Sequence, residues 1–132
     1  MITNDNEIQI RLLVENWAKA VRTKDIDAIL AHHSADFVMY DVPPPFQSVG
    51  LDAYRQTWDT FFEGTKLGTF DIEQLNIIAG NDVAFCYATM FCLNRNGEGI
   101  YERLDFRLTM GLKKSGNQWT IVHEHHSIPA TD

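Results

Sequence analysis

Between Ile100 and Lys114 the chain alternates so strictly that few architectures can hold it. Leu104, Phe106, Leu108, Met110 and Leu112 fall on one side of an extended strand; Tyr101, Arg103, Asp105, Arg107 and Thr109 fall on the other. The apolar side must be covered, because leaving it in water would cost about 1.5–3 kcal/mol per side chain. The charged side is too polar for a core. A strand of this kind belongs to a sheet with helices packed on one face only.

The rest of the chain supplies those parts. A helix is predicted from about Asn4 to Arg22, capped by Thr3 or Asn4, with Ile10, Leu13, Val14, Trp17 and Val21 as its apolar stripe. Thr23-Lys24 breaks it, and Asp25 caps a shorter helix whose inner face is Ile26, Ile29 and Leu30. A short strand, Phe37 to Asp41, runs into Pro43-Pro44-Pro45, read as a stiff extended loop without amide donors. A third helix spans Leu51 to Glu63, with Tyr54, Trp58, Phe61 and Phe62 on its apolar side and Gly64 as its C′ stop. Thereafter everything reads as strand: Thr69 to Ala79, Val83 to Asn94, Ile100 to Lys114, and the stretch Trp119 to Pro129, separated by turn signals at Gly80-Asn81-Asp82, Asn96-Gly97 and Ser115-Gly116-Asn117. Helices first and an antiparallel meander afterwards make an α+β domain of 132 residues. A pocket is expected between the helix layer and the sheet.

The last strand is unusual. Strict alternation puts Trp119, Ile121, His123, His125 and Ser127 on one face, and Thr120, Val122, Glu124 and His126 on the other. We place Glu124 and His126 inward, beside the apolar row, so that Trp119 and Ile121 extend the outer face. Arg103, Arg107, Thr109, Trp119, Ile121, His123 and His125 then form a mixture of aromatic, Arg and His side chains that suits contact with a second copy of the chain; a merely solvated face is the alternative.

A formal charge of −7 and a pI near 5.1 set nucleic acids and anionic membranes aside as partners. No apolar run approaches the roughly 20 residues of a membrane helix. Asp5, Glu7, Arg11, Glu15 and Lys19 exclude a signal-peptide core near the start. Cys86 and Cys92 lie on one strand, about 20 Å apart if extended, too far to bridge; two free thiols point to a reducing, cytoplasmic setting.

The order of helix hairpin, strand, third helix and curved sheet resembles the nuclear transport factor 2-like superfamily. The ending Trp119-x-x-Val122-His123-x-His125-x-Ser127-x-Pro129 is similar to that of the calmodulin-dependent kinase II association domain. Arg107-x-Thr109 followed by this ending also resembles SnoaL-like, ketosteroid-isomerase-related proteins. The resemblance implies one SnoaL-like domain over residues 1–132. Its cone-shaped, cystatin-like sheet would curve around the helix hairpin and third helix. In the isomerases an Asp on the first strand moves the proton, and Asp41 matches it. Their oxyanion hole uses a Tyr on the first helix and a protonated Asp on a late strand. Trp17 and Leu108 stand at about those places here, and Leu can donate nothing. The isomerase mechanism itself is therefore not expected. In both relatives the position of His126 faces the cavity.

The candidate site follows. Asp41 shares a face with Phe37 and Met39, where an apolar setting favours a general base; capping an amide near Pro43 is the competing role. His126, with Glu124 two residues away, supplies a group that takes or gives a proton. Trp17, Tyr54, Trp58, Phe62, Phe106, Leu108 and Met110, with Glu124, are the expected pocket wall, though such a stripe also serves as plain core. His123-x-His125 with Asp105 could ligate a metal, but two histidines fix none, and no metal or other cofactor is expected. His32-His33 reads as a structural helix end. There is no phosphate-binding Gly-rich loop and no G-x-S-x-G. The reading is a homodimer whose apolar pockets bind a small apolar ligand. The alternative is a cofactor-free isomerase, cyclase or dehydratase in which Asp41 and His126 move a proton on a small apolar carbonyl compound.

Overall fold

In the computed structural model, which describes residues 5–130, the helices come first and cover one side of a curved sheet. Helix α1 (Asp5–Arg22) and the short α2 (Ile26–Leu30) form the hairpin. The expected α1 caps, Thr3 and Asn4, lie outside the described residues. Asp25 does cap α2: its carboxylate accepts the Ala28 amide at 3.2 Å. Strand β1 (His33–Tyr40) begins four residues earlier than the sequence suggested, and a two-residue strand β2 (Ser48–Val49), not foreseen, pairs with it. Between them residues 42–46 are a succession of bends, not the continuous extended run expected of the proline stretch; the Pro44–Pro45 peptide is cis.

Helix α3 (Leu51–Gly64) starts at Gly50, whose φ of 90° suits glycine and whose amide donates to the Phe37 carbonyl at 2.7 Å. Gly64 is the helix's last residue, and the chain leaves through an extended Thr65; the left-handed C′ stop expected at Gly64 does not form. Strands β3 (Leu67–Ala79), β4 (Val83–Arg95), β5 (Tyr101–Ser115) and β6 (Gln118–Ser127) make the meander. The sheet order is β2-β1-β6-β5-β4-β3, with β1 parallel to β6 and every other pair antiparallel.

Alternation on β4 and β5 holds. Ala84, Cys86, Ala88, Met90 and Cys92 of β4, and Phe106, Leu108, Met110 and Leu112 of β5, are buried toward Ile10, Val14, Trp17 and Val21 of α1. Arg103, Asp105, Arg107 and Thr109 are exposed on the other side. Leu104 keeps the same face but is 47% exposed, because it lies beyond the helical cover.

Strand β6 breaks the expected alternation. Gly111 pairs with His123, yet Leu112 pairs with Ile121, so Val122 is an extra residue opposite a continuous partner. This is a β-bulge, and it shifts the parity of everything before it. Trp119 and Ile121, expected on the outer face and in the subunit contact, are 3% and 0% exposed inside the core. Thr120 and Val122, expected inside, line an outward groove with Lys113. After the bulge the reading is restored: Glu124 and His126 point in, while His123 and His125 stay on the outer side with Gly111 and Thr109.

Candidate functional site

Where α3 and the β1–β2 connection stand away from the ends of β3, β4 and β5, a cavity of about 520 Å³ opens to solvent. That volume suits a small organic molecule. Its walls are aromatic and aliphatic: Trp58 and Phe61 from α3, Phe70 from β3, Leu104 and Phe106 from β5. Met39 and Cys92 complete the inner surface, and the proline stretch with Ile128 forms the rim. Polar groups are few, and the titratable ones of the acid–base kind are Asp41 and His126.

His126 is oriented from behind. Its Nε2 lies 2.9 Å from Oε1 of Glu124, and Phe106 lies parallel to its ring, at 10° and 6.3 Å between centroids. Trp17 and Trp58 meet the ring edge-on at 6.0 and 6.5 Å. Nε2 being committed, Nδ1 is the ring nitrogen left for the cavity, and it has no hydrogen-bond partner among the described residues.

Glu124 is fully buried and accepts from three side chains. Besides His126, its Oε2 receives Tyr54 Oη–H at 2.8 Å and faces His33 Nε2 at 2.6 Å. Tyr54 Oη in turn accepts the Trp17 indole N–H at 2.9 Å. Burial alone would raise the Glu124 carboxyl, but the hydrogen bonds and charges of His126 and His33 outweigh it and bring the pKa down from 4.5 to about 2. Burial works against a charged His126, while the hydrogen bond and charge of Glu124, helped by Asp41, raise its pKa. Burial, then the Glu124 charge, push the Tyr54 phenol well above 10, so it remains a donor. The Trp58 N–H pulls the phenol the other way from nearby, although it falls outside hydrogen-bond geometry with any described residue.

The two predicted acid–base residues thus open on one cavity. Asp41 sits just past β1, with Oδ1 taking the Val42 amide at 2.7 Å, so it also performs the competing amide-capping role. Of the expected wall, Trp58 and Phe106 line the cavity. Trp17, Tyr54, Leu108 and Met110 do not; they are core behind it, and Glu124 is buried beneath His126. Phe62 does not line it either, because it stacks on Trp58 at 5.7 Å. Sequence reasoning missed Phe61, Phe70, Leu104 and Cys92 as lining, and it read His33 with His32 as a helix end, whereas α2 stops at Leu30 and His33 opens β1 with its ring against Glu124. His33 would have been found by carrying the inward row Phe37, Met39 back to the true start of β1.

On the outer face, Arg103 pairs with Glu73 and Asp105 and lies 4.0 Å over the Phe91 ring. Arg107 donates to Ser127 Oγ at 3.1 Å, and His123 gives Nδ1–H to the Val38 carbonyl at 2.7 Å. Tyr40 packs on the rings of His123 and His125 at 4.7 and 5.5 Å. Among the described residues no three His, Cys, Asp or Glu converge to hold a metal, and Asp105 is turned to Arg103. Cys86 and Cys92 are buried free thiols, and burial pushes Cys86 up to about 12. No helix among the described residues is long and apolar enough to cross a membrane.

Comparison with known proteins adds a family. The sequence profile of the SnoaL-like domain matches residues 10–131. An NTF2-like protein of unknown function from Pseudomonas putida KT2440 is 31% identical, superimposes with a TM-score of 0.83, and the match covers 98% of this chain and 90% of that one. A ketosteroid isomerase-like protein from Erwinia carotovora atroseptica SCRI1043 (21% identity, TM-score 0.78, covering 94% and 96%) shares the fold. So does a provisionally assigned calcium/calmodulin-dependent protein kinase II association domain from Xanthomonas campestris (15% identity, TM-score 0.77, covering 92% and 87%). No curated protein matches the chain.

Proposed function

Because the chain belongs to the SnoaL-like domain family, we propose that its cavity binds a small, largely apolar molecule whose one polar group, a carbonyl-type oxygen, meets His126. A shared fold does not fix an activity, so the reading rests on the site. One observation carries it: in an otherwise greasy cavity, an imidazole is locked by a buried carboxylate with Nδ1 left for a ligand. A His126 held protonated beside Glu124 donates a hydrogen bond to an oxygen, while aromatic walls take up the apolar body.

Asp41 favours a second, enzymatic reading. It is a carboxylate on the same cavity as His126. A ligand reaching both could lose a C–H proton to Asp41 while His126 stabilises the oxygen, without a cofactor, as in isomerase- or dehydratase-type chemistry. The steroid-isomerase arrangement is not the route we favour, since Trp17 spends its N–H on Tyr54 and Leu108 has none to give. A second copy of the chain is the partner we propose for the outer face. The exposed, stacked Phe85 and Tyr87 beside Arg107 and Thr109 take the place of the buried Trp119 and Ile121 in that contact. Its test is the solution mass. The buried free thiols suit the cytoplasm.

The reading is tested by thermal shift with a panel of hydrophobic ketones and aryl carbonyl compounds on the parent, Asp41→Asn and His126→Ala. A ligand at a hundredfold its Kd stabilises by about 2.7 kcal/mol, a shift on the order of 10 °C for a domain of this size. His126→Ala should lose most of that shift. Binding unchanged in Asp41→Asn would leave the binding reading standing; the enzymatic one requires in addition that the parent exchange deuterium into a bound ketone next to its carbonyl and that Asp41→Asn lose that exchange. Equal shifts in all three proteins would remove His126 from the site.

A further inference from the structure

Two imidazoles share the single buried carboxylate of Glu124, and only one of them lines the cavity. We propose that His33 is a positioning residue: a doubly protonated imidazolium that neutralises Glu124 from the far side, so that His126 can exchange a proton at the cavity without carrying the burden of balancing the buried charge. The inference deepens the ligand reading above and rests on His126 being the group that meets the ligand.

The His33 side chain is wholly shielded from solvent, so no bulk water meets its needs. Its Nδ1 lies 3.0 Å from the Ala31 carbonyl oxygen, which can only accept. Its Nε2 lies 2.6 Å from Glu124 Oε2. A neutral imidazole has one N–H and would turn a lone pair against one of these two oxygens; the imidazolium has two. The remaining escape is a proton on Glu124. Against it, the carboxyl already faces Tyr54 Oη–H and His126 Nε2 as well as His33, and three donors favour its ionised form. Tyr54 cannot turn its hydrogen elsewhere without loss, because its oxygen is the acceptor for Trp17 Nε1. The position is fixed by packing: the His33 ring lies 4.8 Å from that of Phe37 and 4.7 Å from that of Tyr54, tilted by 32° to the latter.

The charges around His126 are few. Glu124 on its own strand and Asp41 beyond β1 favour its proton. Tyr54 on α3 remains a phenol, and Cys86 and the cavity-lining Cys92 on β4 remain thiols, all uncharged. Trp17, Trp58 and Phe106 present rings only. His33 is thus the cation that divides Glu124's charge with His126. Removing it leaves His126 as the sole counter-ion.

The test needs no ligand. Protein labelled with ¹⁵N in its histidines reports each ring nitrogen by NMR. At pH 7 both nitrogens of His33 should appear as N–H; a bare nitrogen in His33 overturns the proposal. In His33→Gln, whose amide can still reach Glu124 but carries no charge, the titration midpoint of His126 should rise by about one pH unit. A folded His33→Gln with an unmoved His126 midpoint also overturns it, since a merely structural His33 would leave that midpoint alone. If His33→Gln does not fold, the parent spectrum decides. Failure of the ligand reading looks different: both NMR results hold, and no compound of the panel shifts the melting temperature.

Discussion

The inner face of the sheet has a closed end and an open end, built from the same alternating strands. At the closed end Leu112, Ile121 and Trp119 share one core with Ile10 and Val14 of α1, and each is at most 3% exposed. At the open end Leu104, Phe106 and His126 look into a cavity. The residue types on β5 hardly change between the two, Leu and Met giving way to Leu and Phe. What changes is the cover. Helix α1 seals one end, while α3 and the proline stretch stand off from the other. Glu124 sits between them, and its hydrogen bonds tie α3, β1 and β6 together behind the cavity. The lesson is that alternation decides which side chains turn inward, and helix placement decides whether inward means core or pocket.

The comparison breaks most visibly at Glu124. Replacing it by Ala leaves His33, His126 and Tyr54 without their common acceptor in a buried site. The expected loss is about 3–5 kcal/mol, measured by urea denaturation. A loss below about 1 kcal/mol would mean that water reaches the network and that the boundary between the two ends is not closed.

Ile121→Ala probes the closed end. A residue at 0% exposure should cost about 2–5 kcal/mol on truncation, whereas an outer-face isoleucine would cost little. The result therefore tests the bulge at Val122 directly. This is also where the sequence was hardest to read. Alternation is legible only while the pairing is regular, and one extra residue reverses it. Gly111, a glycine inside an otherwise apolar row, sits opposite the irregularity and was the available sign. The order of the three helices and five longer strands, the Asp25 cap, the inward row of β5 and the inward Glu124–His126 pair were readable, because each depends on local pattern. The partners of Glu124 were not. His33 is 91 residues away and Tyr54 70, and only the parallel pairing of β1 with β6 and the placement of α3 bring them together. The cavity wall was legible only at Trp58 and Phe106, for the same reason: aromatic spacing on α3 identifies inward rings, but not which of them are covered by other elements.

The acid response should be of the order of 3 kcal/mol and should disappear in Glu124→Gln. The Glu124 carboxyl is depressed from 4.5 to about 2, so its contribution is fully present above pH 4.5 and is lost as pH falls toward 2. His126 has the opposite sign. Its pKa is raised, so its contribution is full below about 6.5 and fades as pH rises through the elevated value. Together they place the network's greatest stabilisation between about pH 4.5 and 6.5. Urea midpoints across pH 2–9 check this. A parent and Glu124→Gln with parallel profiles would show that other carboxylates govern the acid limb.

The smallest effect sharpens the comparison most. Leu104 and Leu108 lie on one strand and one face, four residues apart, at 47% and 1% exposure. Truncating Leu108 to Ala removes methyl groups from a packed core and should cost about 2–5 kcal/mol. Truncating Leu104 to Ala removes them from a cavity rim already half in water, and the unfolding free energy from urea denaturation should fall by no more than about 0.5 kcal/mol. If Leu104→Ala costs as much as Leu108→Ala, the rim is packed against something in solution. The cavity would then be filled or covered rather than open, whether by the β1–β2 connection swinging in or by a second copy. A near-zero cost, with the Leu108 cost intact, leaves one face of one strand serving as core at one end and as binding wall at the other.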